Sequence, residues 1–219
     1  MLFRSIHGTV RLEPVMDRAT PYHRPHSTHI AGYAVIIGGD DRWIGNLFTG
    51  ADPATAYGPD AEGAGPAVAG TSGYDGHPAS FEEYLARVQA QPPGDHKRFL
   101  GVQQPVYARG NVYASGATPF AGEDTPVVLS TAAVSIAVEG DACYLVTELP
   151  EGFDHARLDP VTGRDLPRVR FTDADFEEPD GTPAVLDVDL TGEPKRPGER
   201  FVAGPVAGLT SGTNRTRIW

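Results

Sequence analysis

Residues 17–42 collect most of the groups that could do chemistry. Tyr22-His23-Arg24-Pro25-His26-Ser27-Thr28-His29 sets three histidines at intervals of three. That spacing aligns metal ligands only on a helix, and Pro21 and Pro25 exclude a helix here. No metal is therefore expected. Two readings stay open: polar loop histidines on the surface, or a groove in which Tyr22, His26, His29 and Arg42 hydrogen-bond the hydroxyls of a sugar. Carboxylates bracket the stretch, with Asp17 before it and Asp40-Asp41 after the apolar run Tyr33–Ile37. Neighbours on a strand face opposite ways, so one of Asp40 and Asp41 is expected inward and the other toward a groove. A plain Asp-Asp turn explains the two equally well. If strands stack in coils, carboxylates on successive coils stand about 4.8 Å apart. Hydrolysis of a glycosidic bond with retention needs a pair about 5 Å apart. Asp17 and Asp40 are the candidates for that pair, and Asp41 is the third candidate catalytic carboxylate.

Such a pair must be positioned by repeating elements, and one repeat is visible. Gly45-Asn46-Leu47-Phe48 and Gly110-Asn111-Val112-Tyr113 share Gly-Asn-aliphatic-aromatic, each after an apolar or aromatic stretch. Gly and Asn tolerate the left-handed backbone that turns one short strand into the next, and Asn amides can bond from coil to coil. Repetition of this kind is what a β-solenoid requires. Leu2-Phe3-Arg4-Ser5 reads as the end of a third copy without its Gly-Asn.

Residues 51–100 separate the two copies. The Gly-, Ala- and Pro-rich 58–79 reads as an irregular loop. A helix follows, with Ser80 as N-cap, Glu83 completing a capping box, an apolar face of Phe81, Tyr84, Leu85 and Val88, and a stop at Pro92-Pro93. From about residue 124 the pattern changes to short β-prone runs: Val127–Leu129, Val134–Val138 and Cys143–Val146. Glu139-Gly140-Asp141 is a hairpin turn, and Phe201 to Trp219 reads as a last strand pair. The expected organisation is therefore 1–123 as terminal coils of a parallel β-helix, with 51–100 inserted, and 124–219 as a β-rich unit capping the open end.

Composition narrows the function classes. With a formal charge of −11 and no Lys/Arg cluster, the chain repels a phosphate backbone, so no nucleic-acid partner is expected. No apolar run is long enough for a membrane helix. The single Cys143 makes neither an internal disulfide nor a cysteine-based zinc site. Asp173, Asp175, Glu177, Glu178 and Asp180 lack the spacing of a calcium loop, and Pro179 interrupts them. No phosphate-cradling loop or nucleophile elbow is present, and no cofactor is expected. Met1–Gly8 has no apolar signal region, which leaves the compartment open between cytoplasmic and secreted as part of a longer protein.

A family resemblance joins these pieces. Thr20-Pro21-Tyr22, Pro25-His26-Ser27-Thr28-x-Ile30-Ala31-Gly32 and Gly39-Asp40-Asp41-Arg42-x-x-Gly45-Asn46-Leu47-Phe48 follow one another. In that order they resemble the later coils of β-helical glycoside hydrolases of the β-xylosidase type, those of glycoside hydrolase family 120. Gln104-Pro105-Val106-Tyr107-x-x-Gly110-Asn111-Val112-Tyr113 and Phe176-Glu177-x-Pro179-Asp180-Gly181 are similar to the next parts. The resemblance implies an all-β chain forming the terminal coils of a right-handed parallel β-helix of the pectin lyase kind. It implies a sugar groove on one face and hydrolysis by two carboxylates acting on plant polysaccharide or xylo-oligosaccharide. It also implies coils upstream of Met1, and hence self-association through an open β-helix end. His29 stands where the family pattern leads us to expect a glutamate. A non-catalytic carbohydrate-binding or structural module is the alternative, and a small β-barrel or sandwich unrelated to sugars is a third.

Overall fold

The structure is a computed structural model. It describes residues 4–10, 15–24, 26–36, 38–50, 68–93, 101–170, 172, 174–186, 188–194 and 200–219, with the backbone only at 9, 15–20 and 33–36. The rest of the expected insertion, 51–67 and 94–100, lies outside the described residues.

The chain is mostly β with one α-helix among the described residues. The first strands are β1 (Ser5–His7), β2 (Thr9–Val10), β3 (Val15–His23), β4 (Ile30–Ile36), β5 (Asp41–Ile44) and β6 (Leu47–Thr49). After β7 (Val68–Ala69) and α1 (Phe81–Gln89) come β8 (Val106–Arg109), β9 (Val112–Ala114) and β10 (Val127–Val128). The remainder holds β11 (Ala133–Glu139), β12 (Ala142–Leu149), β13 (Arg157–Leu158), β14 (Val161–Thr162), β15 (Val185–Leu186), β16 (Phe201–Val202) and β17 (Gly212–Arg217).

The two Gly-Asn segments lie rung over rung. β5 pairs in parallel with β8, Trp43 beside Ala108, and β6 pairs in parallel with β9, Leu47 beside Val112 and Phe48 beside Tyr113. At the corner between them, Gly45 and Gly110 take φ of 63° and 59°. An L side chain is strained there, and a Cβ on Gly110 would stand 2.3 Å from Leu158 Cδ2. β1 and β10 extend the same sheet in parallel, giving the order β1-β6-β9-β10. Ser5 therefore belongs to a third rung, and Val127–Val128 joins this sheet too.

Inside the corner the two asparagines form a buried ladder. Asn46 donates from its backbone N and from Nδ2 to Asn111 Oδ1, at 2.8 and 2.9 Å. Arg4 N donates to Asn46 Oδ1 at one end, and Asn111 Nδ2 donates to Trp43 O and Glu123 Oε1 at the other. Both amides are fully buried, so these bonds replace lost hydration. Beside them, Phe48 and Tyr113 stack at 5.0 Å with rings 2° from parallel. Trp43, Tyr74, Val106 and Phe120 close that core. The opposite faces of Leu47 and Val112 pack against Leu145, Leu149, Phe153, Val202 and Leu209, so the C-terminal strands cover the parallel sheet.

The sheet β11-β12-β17 is antiparallel, and its first two strands join at the expected turn, where Gly140 has φ of 59°. Phe201 to Trp219 does not form a strand pair of its own. Phe201 and Val202 are buried and pair with β13, whereas β17 pairs with β12. Sequence proximity loses here to the burial of two apolar side chains. α1 begins as expected, Glu83 N donating to Ser80 Oγ, while Glu83 Oε2 accepts from Ala79 N. Only Tyr84 and Val88 of its apolar face are buried; Phe81 and Leu85 remain exposed.

Candidate functional site

Asp40 lies just before β5, its backbone left-handed at φ 57° between Gly39 and the strand. Its Oδ2 accepts from Arg170 N at 3.1 Å. Its Oδ1 stands 2.8 Å from Arg42 Nη1, a charge contact without hydrogen-bond alignment. Burial raises the Asp40 carboxyl above its ordinary range, and the Arg42 charge and the Arg170 N–H oppose that rise only in part. The side chain is 18 % exposed, enough to face one edge of the cluster.

Arg42 is buried in β5 and its guanidinium is spent on the protein. It donates to Asp40 O, Pro167 O and Arg168 O, and lies between the rings of Tyr107 and Phe176 at 5.0 and 5.3 Å. It thereby fastens residues 167–168 to the strand. Arg170 is half-buried: its Nε donates to Gln104 Oε1, and its guanidinium lies 4.6 Å over the Tyr84 ring of α1. Burial pulls Arg170 below the usual arginine range, against the electrostatic pull of Tyr84, Asp40, Tyr22 and Tyr107. Asp40, Arg170, Tyr22, Tyr84 and Tyr107 therefore form one electrostatic cluster. Tyr22 reaches it from β3, and its phenol lies over Gly32 of β4, where a Cβ would meet the hydroxyl at 2.4 Å.

Asp41 faces a different set of groups, as alternation along a strand requires. Its Oδ2 accepts from Tyr74 OH at 2.8 Å. The Tyr74 ring packs edge-on against His77 at 5.1 Å, and His77 Nδ1 donates to Gln104 O at 2.9 Å. Burial lowers the His77 pKa and raises that of Tyr74, which keeps both neutral at pH 7.

The other sequence candidates lie apart. Asp17 falls within β3, where only the backbone is described. His26, at φ 55°, contacts Glu177 Oε2 through Nε2 at 2.9 Å on the surface. His29 is exposed and donates its backbone N–H to Ser27 Oγ. The three histidines do not converge, and among the described residues no three His, Cys, Asp or Glu groups are placed to hold a metal. Sequence reasoning missed Arg170, Gln104 and Tyr84 as neighbours of Asp40. The first is 130 positions away in the chain, and no local pattern marks it.

The chain resembles a solved structure end to end. All of it superposes on XylC, determined in complex with xylose, with a TM-score of 0.85 and 38 % sequence identity. The match spans 32 % of that chain, so this protein corresponds to about a third of XylC. No protein-family model matches the sequence, and no curated protein does either.

Proposed function

We propose that this chain is the terminal coil region of a right-handed parallel β-helix in a glycoside hydrolase of the XylC kind, and that it contributes one wall of a sugar site. The end-to-end likeness to a protein solved with xylose carries this reading. The parallel rungs, with Asn and Gly at their corners, support the β-helix. The sugar site is the edge of the Asp40 cluster. Aromatic rings of Tyr22 and Tyr107 offer faces to a pyranose, and Arg170 and Asp40 offer a donor and an acceptor for its hydroxyls. Asp40, whose burial strengthens its hold on a proton, supplies the acid that protonates the leaving oxygen, and Asp17 supplies the second carboxyl; Asp41, held by Tyr74 OH among other groups, does not. Arg42 acts as a positioning residue, holding Asp40 and residues 167–168 in place. His26 and His29, apart from the cluster on the β3–β4 loop, have no part in it. The substrate is a xylose-type residue of an oligosaccharide or polysaccharide.

One observation favours a second reading. Both oxygens of Asp40 already face cationic or N–H partners, which suits a fixed sugar-binding carboxylate as well as a catalytic one. Hydrolysis of chromogenic xylosides by the wild-type protein and by Asp40→Asn and Asp17→Asn separates the two. The hydrolase reading expects kcat/KM to fall by about 100-fold or more in Asp40→Asn. Turnover untouched by both substitutions removes the assignment, and saturable xylose binding without turnover selects the binding module.

A further inference from the structure

A cleft that shares no lining residue with the Asp40 cluster has a different chemistry. Arg109 at the end of β8, His155 in the short turn of 3-10 helix Phe153–His155, Arg157 and Leu158 of β13, Asp159, and Arg200 just before β16 line a cleft of about 310 Å³. That volume is at the small end of ligand sites, which begin near about 300 Å³. Three arginines line it in a chain whose net charge is −11, so general basicity does not explain them.

Their fixing is informative. Arg200 Nη2 donates to Arg157 O at 2.7 Å, Arg157 Nη1 returns a bond to Arg200 O at 3.3 Å, and Arg157 Nε donates to Asp154 O at 2.9 Å. Carbonyl acceptors orient these groups without neutralising them. The carboxylates nearby are weak counterweights. Asp159 is 3.9 Å from Arg200 with both side chains largely exposed, so solvent screens the pair. Asp165, whose charge interacts with Arg109 and whose Oδ2 accepts from the backbone N–H and the hydroxyl of Thr162, does not line the cleft. Among the described residues the Arg109 guanidinium makes no hydrogen bond. Two oriented guanidinium groups and a third without a hydrogen bond, around a small cleft, match a planar oxyanion, which relieves their mutual repulsion.

The geometry points to an anion-binding site, distinct from the Asp40 cluster, that takes the carboxylate of a uronic acid. The anion chemistry stands on the arginines alone; the choice of an acidic sugar rests on the sugar reading above. In such a site the carboxylate sits between Arg109 and Arg200, and the sugar ring lies against Leu158.

Ligand-observed NMR on the whole chain tests this, with glucuronate, inorganic phosphate and xylose as separate probes. Glucuronate is expected to bind saturably and to weaken by roughly tenfold or more in Arg109→Gln and in Arg200→Gln. Asp40→Asn should leave glucuronate binding unchanged, which keeps this site's outcome separate from that of the proposed activity. Arg109→Gln removes no hydrogen bond of the fold, so it decides the matter even if Arg200→Gln unfolds. The absence of saturable glucuronate binding, equal binding by Arg109→Gln, or binding of phosphate but not glucuronate would each overturn the assignment.

Discussion

Asp40 and His77 are both shifted by burial, and Gln104 links their surroundings. His77 donates to the Gln104 carbonyl, and Arg170 donates to the Gln104 amide oxygen. The sign of the His77 shift gives a test. Its folded pKa lies below the ordinary 6.5 because burial disfavours the imidazolium, an effect stronger than the opposing pull of the Gln104 bond and Asp41. A depressed folded value means that its stabilising contribution is complete above about pH 6.5 and is lost as pH falls through the lower folded value. His77→Gln keeps a donor for Gln104 O but cannot titrate. Melting temperatures taken from pH 7.5 downward should therefore fall more steeply for the wild type than for His77→Gln below about pH 6.5. Parallel curves would show that His77 is not buried as described.

At the scale of elements, the Asn ladder holds the parallel rungs in register. Asn111 Oδ1 takes both N–H groups from Asn46, and Asn111 Nδ2 reaches Trp43 O and Glu123. Asn111→Ala strands several buried polar groups at once, each of which costs about 1–3 kcal/mol. A loss of about 3 kcal/mol in denaturant unfolding is expected. A loss under about 1 kcal/mol would mean the ladder is replaced by water or by relaxation. This element was legible in the sequence, because Gly45-Asn46 and Gly110-Asn111 announce a corner whose chemistry is local. The N-cap of α1 was legible for the same reason, Ser80 and Glu83 being three residues apart. The neighbours of Asp40 were not. Arg170 approaches from a segment with little regular structure, and its position depends on Arg42 holding the carbonyls of residues 167 and 168. Likewise β16 and β17 read as one strand pair, since their separate partners, β13 and β12, are fixed by the core around Phe153 and Leu149.

For the whole molecule, the chain aligns with about a third of XylC, and it carries a carboxyl-centred cluster and an arginine-lined cleft. One centres on a carboxyl among tyrosines and suits neutral hydroxyls. The other centres on arginines and suits an anion. Both depend on β8, which places Tyr107 toward the first and Arg109 toward the second, two residues apart on one strand face. The most direct test of the sugar reading is a crystal structure of this protein with xylose at saturating concentration. The expected result is a pyranose within hydrogen-bond distance of Asp40 and Arg170, with a face against Tyr22 or Tyr107. An empty Asp40 cluster, or xylose bound only elsewhere on the chain, would contradict it.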